Sequence, residues 1–359
     1  MRPAHATAPL LLCAALFAAC EKEYDLSQLP QPGGATLDTA YVELTPPFIG
    51  YAGAEDVIVG NDQLIYVADT RANRVVMMNT AGQVLSARTM LHPHCLAQDE
   101  RLDLLVGGEL VASNGDTMGA IYRLHLVSSS PDTAHHLDKS PVDTVWREPA
   151  HPARRFSGIA TFYDNTYIAA RFGPDNSSFI DPDGRVLLFD ANDRFITPVP
   201  ALTTGAGSGI TNIYVPTGLA IFPGVKDFIL VQTSQGVSYG AVWLAYQVTS
   251  DFIGWVPKFD PANPDQRSVD FIRPNRFLSP RSVAIDNARR DVFIADAGLD
   301  SVFKFNSRGA YKQESFGFYR SGGVMKQPVA VAYFATVLYV LDASTGSILR
   351  YRLTADIPH

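Results

Sequence analysis

The chain has 359 residues, 47% hydrophobic and 18% charged, a balance that excludes a disordered polypeptide and fits two average domains or one large all-β domain. A formal charge of −7, with no run of like charges, excludes the clustered Lys and Arg surface by which proteins hold nucleic acid.

The N-terminal segment reads as a targeting signal. Arg2 and the apolar run APLLLCAALFAA (8–19) form a signal-peptide core, too short to cross a bilayer as a mature helix. Small residues then lead into Cys20. The phrase FAAC resembles the lipobox of bacterial lipoproteins, with Phe17 standing where Leu is usual. That resemblance implies cleavage after residue 19, a lipid on the Cys20 sulfur, and acyl chains that hold the protein on a membrane. An ordinary secretory signal cleaved near Ala19 is the alternative. Residues 20–39 are polar, contain Pro and Gly, and read as a flexible tether. The acidic residues beside Cys20 resemble export signals of Bacteroidetes surface lipoproteins, which implies a cell-envelope location at the outer membrane. With Cys20 lipidated, Cys95 has no partner, so no disulfide is expected in this exported fold.

From residue 40 the pattern becomes short apolar runs bounded by Gly, Asn, Asp and Pro, which is strand-and-turn chemistry. AYVELTPP (40–47) reads as one strand. A three-strand phrase then recurs, and its second strand always ends in a polar residue. The first copy is EDVIV (55–59), IYVAD (65–69) and RVVMM (74–78). The second is PHCLAQD (93–99), LLVGGE (104–109) and AIYRLHLV (120–127), and the third FSGIATF (156–162), YIAAR (167–171) and RVLLF (185–189). The fourth is PTGLAIF (216–222), FILVQ (228–232) and AVWLAYQV (241–248). PRSVAID (280–286), VFIAD (292–296) and SVFKF (301–305) make the fifth, and PVAVAY (328–333), LYVLD (338–342) and SILRYRL (347–353) the sixth. Copies have room for a fourth strand, such as QVLSARTM (83–90) and AYKQESFG (310–317). Repeated four-stranded units predict an all-β fold, a six-bladed β-propeller over residues 40–359.

Val67-Ala68-Asp69, Asn73-Arg74-Val75 and Gly82 together resemble the signature of the NHL repeat family, whose members form six-bladed propellers. Blades five and six keep the Asp without the Asn-Arg pair; blades two to four lose the Asp. The resemblance spans roughly residues 40–355 and implies a fold rather than an activity. The sixth copy leaves no sequence for an outermost strand, so 40–47 is expected to pair beside 347–353 and close the ring.

The second strand of each blade runs toward the face that carries the second-to-third-strand loops and the blade-to-blade links. Asp69, Glu109, Arg171, Gln232, Asp296 and Asp342 are therefore expected to ring that face. The three Asp side chains are expected to bond backbone amides of their own turns. Glu109, Arg171 and Gln232 are longer, occupy successive blades, and are expected to reach past the turn into the open funnel. The long insertions 172–184, 201–215 and 258–279 fall in the same sector. They carry Phe172, Phe179, Tyr214, Phe259, Phe271 and Phe277 as apolar anchors, and Arg273 and Arg276 as partners, beside Arg171, for a carboxylate or phosphate. Ordinary loop packing is the competing account of each.

His92, His94 and His151 lie on links of the same face. Peptidyl-amide lyases, an NHL-like enzyme class, hold zinc through His residues from several blades. Blades four to six offer no His here except the terminal His359, and a catalytic zinc needs about three converging ligands, so no metal or cofactor is assigned. His135 and His136 belong to an excursion (128–142) predicted for the opposite face. DPDG (181–184) reads as a β-turn, because the alternating oxygen ligands of a calcium loop are missing. No Gly-rich phosphate loop with Lys occurs, and no catalytic residue emerges. These readings favour an exported, lipid-anchored binding module that takes a protein, peptide or glycan on its loop-rich face, in one form as an accessory to an outer-membrane complex. The alternative is a metal-dependent propeller enzyme of lactonase or lyase type, with Glu109, Asp69, Asp296 and Asp342 around an ion; Arg171 in the same ring would oppose a cation.

Overall fold

The computed structural model of the chain describes residues 39–127, 135–204, 209–233, 238–317 and 325–357. The signal peptide expected at 1–19, the lipidation site Cys20 and the tether up to residue 38 lie outside the described residues. So do His359, residues 128–134 of the His135 excursion and part of the 201–215 insertion.

Each copy of the repeated phrase folds into one antiparallel sheet. Blade one is Asp56–Val59, Ile65–Asp69, Arg74–Met78 and Val84–Thr89. Blade two is Cys95–Gln98, Leu104–Val111, Thr117–Leu124 and Val142–Arg147. Blade three is Arg155–Thr161, Tyr167–Phe172, Arg185–Phe189 and Phe195–Pro198. Blade four is Pro216–Ile221, Phe228–Gln232, Ala241–Val248 and Ile253–Pro257. Among the described residues blade five has three strands, Pro280–Ile285, Val292–Asp296 and Ser301–Phe305, and blade six continues with Pro328–Phe334, Val337–Asp342 and Ser347–Leu353. Tyr41–Glu43 pairs antiparallel with the last of these, Tyr41 opposite Leu353 and Glu43 opposite Tyr351, and Phe48–Ile49 extends the same edge. The architecture is a six-bladed β-propeller.

Burial explains the strand compositions. The second strands Ile65–Asp69, Val292–Asp296 and Val337–Asp342 are buried along their whole length, because a neighbouring blade covers each face of the sheet. They therefore read as unbroken apolar runs rather than alternating ones. The outer strand Val84–Thr89 has no such cover and leaves Val84 and Leu85 about half exposed. The core is divided accordingly into clusters at the seams between blades: Val67 and Val76 pack with Ala330 and Leu341, for example, and Tyr66 and Met77 with Leu96 and Val106.

The inner strands are held to one another by hydroxyls. Ser157 Oγ donates to the Pro216 carbonyl at 2.6 Å, and Thr217 Oγ1 to that of Pro280 at 2.8 Å, while Ser282 Oγ accepts from the Val331 amide at 3.2 Å. Each bond crosses from one blade to the next. Gly158 permits the close approach: a Cβ there would stand 3.1 Å from the Leu219 nitrogen and 3.2 Å from the Gly218 Cα.

Blade five departs from expectation. AYKQESFG (310–317) forms no strand, only single bridges from Tyr311 to Phe305 and from Phe316 to Val302. The neighbouring excursion 258–279 supplies packing at that edge instead. Phe271 donates its amide to the Gly309 carbonyl, Asp270 Oδ2 accepts from the Tyr311 amide at 3.1 Å, and Val269 and Phe259 lie against Gly309.

Candidate functional site

All six residues that end the second strands are buried. Asp69, Glu109, Arg171, Gln232, Asp296 and Asp342 are between 0% and 8% exposed. Glu109, Arg171 and Gln232 therefore do not reach into an open funnel, contrary to the sequence expectation. Most of the six tie the loop-rich face together instead.

Asp296 shows the arrangement in full. Its carboxylate accepts the amides of Gly298 and Leu299 in its own turn, and those of Leu278 and Ser279 in the link arriving from blade four, at 2.8–3.2 Å. Asp342 repeats it with Ser344 and Thr345 on one side and Lys326 and Gln327 on the other. Gln232 does the same work with an amide: Oε1 accepts from the Tyr214 N–H at 2.9 Å, and Nε2 donates to the carbonyls of Asn212 and Tyr239. Asp69 differs, taking Arg74 Nε at 2.7 Å.

Arg171 performs the task with reversed polarity. Its guanidinium donates to the Asp183 and Pro182 carbonyls in its own loop, to Asp181 Oδ1 at 2.7 Å, and to Glu148 Oε1 at 3.0 Å in the incoming link. A second guanidinium, from Arg154, joins the network, 2% exposed. It reaches Asp183 at 2.6 Å, Asp181 at 2.7 Å and Glu148 at 3.3 Å. The DPDG segment is thus more than a turn, since both its carboxylates clamp buried arginines. Sequence reasoning missed Arg154, Glu148 and this pairing. The only signal was the charge density of REPAHPARR (147–155).

Glu109 carries the third variant, and its incoming link brings histidines. Arg155 Nε lies 2.7 Å from Glu109 Oε1, His92 Nδ1 3.2 Å from Oε2, and His94 Nε2 3.5 Å from Oε1; His94 Nδ1 lies 2.8 Å from Glu55. Burial would push the Glu109 carboxyl up, but the bonds from Arg155 and His92 outweigh it and hold the group down at about 2. Burial would likewise lower His94, yet Glu55 and Glu109 raise it above the usual imidazole value. The histidines expected on this face are thus engaged with carboxylates.

The remaining predicted residues divide sharply. Phe271 is 1% exposed, a core residue packed edge-on against Trp243 and Phe305 at 5.6 and 5.3 Å. The excursion that carries it packs against the turn at Gly309, at the far end of blade five from Asp296, and so does not overhang the loop-rich face there. Arg276 is buried over Phe305 and Tyr311 with Asp270 at 3.1 Å, whereas Arg273 is exposed. Tyr214 is half-buried and its backbone is held by Gln232 and Asn176. Phe179 is 97% exposed and its neighbour Ile180 85%.

The inner strands enclose a central channel of about 300 Å3, whose wall includes small residues such as Gly60, Ala97, Gly158 and Gly218. Glu55, His94 and Arg281 stand among its lining residues. No group of three or more His, Cys, Asp or Glu side chains is arranged to hold a metal ion among the described residues. The four carboxylates considered for such a site are each taken up by the partners above.

No protein-family model matches this chain, and no curated protein is similar to it in sequence. Solved structures are. A luciferin-regenerating enzyme aligns with a TM-score of 0.59 at 13% identity, over 88% of this chain and 95% of its own. The neighbours are six-bladed propellers. Among them, the PQQ-bound aldose sugar dehydrogenase of Streptomyces coelicolor aligns at 0.56 and 14% identity, over 88% of this chain and 98% of its own. An auxiliary nutrient binding protein from Bacteroides thetaiotaomicron aligns at 0.55 and 12% identity, over 85% of this chain and 70% of its own. At such identities the likeness establishes the fold alone.

Proposed function

We propose that this propeller is an exported, lipid-anchored member of the NHL-repeat type, acting in the cell envelope as a binding module for a protein, peptide or glycan. The ligand docks on the loop-rich face over blades two to four, in one form of the role as part of an outer-membrane complex. One observation carries the reading. Phe179 and Ile180 stand 97% and 85% exposed at the tip of a loop whose root, Asp181 to Asp183, is clamped by the Arg154 and Arg171 guanidiniums. Large apolar side chains held in water on an ordered base lose little further freedom on binding and gain from burial, which is how interface anchors work. Glu109, Arg171 and Gln232 then shape the floor of the site, and Phe179 and Tyr214 are left to meet a ligand. The nutrient-binding neighbour is compatible with this role.

The test is a panel of envelope glycans and peptides probed with the wild-type chain and with the Phe179→Ala/Ile180→Ala double variant. A ligand held by the first and lost by the second is the expected result. A ligand held equally by both contradicts the assignment of the site.

A further inference from the structure

The strand that follows the loop presenting Phe179 and Ile180 begins with a third arginine, in a different state from Arg154 and Arg171. Arg154 and Arg171 are each engaged by carboxylates of Glu148 and Asp181. Arg185 lies directly opposite Arg171 in the strand ladder, yet no carboxylate among the described residues comes within 4.0 Å of it. Its Nη2 donates to the backbone carbonyl of Ile180 at 2.7 Å, which fixes it beneath the exposed pair. Its Nε–H is buried without an acceptor. Burial holds its pKa below the ordinary guanidinium value, and the neighbouring Arg171 and Arg154 add to that against the pull of Asp181.

An apolar tip beside a cation that no carboxylate contacts is complementary to one kind of group: apolar, with an anion close by. A planar guanidinium with free N–H groups prefers a carboxylate. The aliphatic Ile180 beside Phe179 suits a hydrophobic side chain better than a sugar ring face. We infer that this corner of the loop-rich face recognises a peptide segment in which a large apolar side chain stands next to a carboxylate. The apolar group packs on Phe179 and Ile180 and the carboxylate pairs with Arg185. This rests on the reading of the loop-rich face as a binding surface. The carboxylate belongs either to an acidic side chain or to a chain terminus.

Three small probes separate these cases: N-acetylphenylalanine, its uncharged carboxamide, and the acetylated, amidated dipeptide of Phe and Asp. Their dissociation constants are measured by ligand-observed NMR on the chain from residue 20 onward carrying Cys20→Ser. One or both carboxylate probes should bind about tenfold more tightly than the carboxamide, the factor that corresponds to one charge-assisted contact. The probe that gains identifies the carboxylate's source. Arg185→Gln should reduce that probe to the carboxamide's level, Arg185→Lys should restore part of the difference, and Phe179→Ala/Ile180→Ala should weaken all three. Should Arg185→Gln misfold, added salt serves instead, since it should erode the carboxylate preference and leave carboxamide binding unchanged. Equal affinities for charged and uncharged probes, or a preference untouched by Arg185→Gln, overturn the inference while a Phe179-dependent carboxamide signal leaves the binding face standing. A neutral oligosaccharide that binds through Phe179 while the three probes do not also overturns it. If nothing binds in a Phe179-dependent way, the binding-face reading fails with it.

Discussion

Asp296 and Arg171 occupy the same slot in different blades, and the sequence suggests opposite roles for them: a bonded turn residue and a free ligand-binding one. In the fold both are interior. Asp296→Ala removes the carboxylate from four amides, of which only that of Leu299 keeps another acceptor, and should cost on the order of 3 kcal/mol, seen as a clear drop in melting temperature; Asp296→Asn, which keeps one acceptor oxygen, should cost less. Arg171→Ala should be comparably destabilising, about 3 kcal/mol, because it removes one of the two guanidiniums that pair with the buried Glu148 and leaves the Pro182 and Asp183 carbonyls without their donor. An unchanged melting temperature for Arg171→Ala would show that this network contributes nothing to stability. His94 gives a pH test. Glu55 and Glu109 face it directly, and His92 and Arg155 share Glu109. Since its folded pKa is raised, its stabilisation is complete below the ordinary value of 6.5 and fades as pH rises through the raised one. Glu109, depressed to about 2, stays ionised throughout that range. The melting-temperature gap between wild type and His94→Gln should therefore be widest in mild acid and narrow toward alkaline pH. A gap that widens with pH would reverse the assignment.

The elements were the most legible part of the sequence, for a physical reason. A strand covered on both faces is an unbroken apolar run, and a turn needs Gly, Asn, Asp or Pro, so IYVAD and VFIAD announce themselves without a partner in view. The outermost position of blade five was not legible. AYKQESFG has the composition of a strand, and only the tertiary competition from Phe259, Val269 and Phe271 of the preceding excursion displaces it. The Tyr41–Glu43 strand can be tested directly. Tyr41 stacks on Phe316 at 5.0 Å and meets Phe293 edge-on at 6.0 Å, and the strand covers the edge of Ser347–Leu353. Deleting residues 40–44 should lower the melting temperature and promote association through the exposed edge, read by light scattering. A truncated chain as stable and monomeric as wild type would show that the ring does not depend on this strand.

For the molecule as a whole, the sequence located the loop-rich face but sorted its residues poorly. A lone aromatic in a polar loop looks alike whether it turns inward, as Phe271 does, or outward, as Phe179 does. Ion pairs such as Arg154 with Asp183 join positions 29 residues apart, and nothing local announces them. What distinguishes an anchor from a core residue is the cover supplied by the rest of the chain, and that is known only once the blades are assembled. Phe179 and Ile180, exposed on this propeller, are proposed as the anchor of a binding surface. The most direct measurement compares the affinity of a ligand for wild type, for Phe179→Ala/Ile180→Ala, and for Val84→Ala on the exposed outer strand of blade one. Loss of two side chains of this size should weaken binding by roughly 2 kcal/mol or more, some thirtyfold, while Val84→Ala changes nothing. Equal affinity of all three variants would contradict the account.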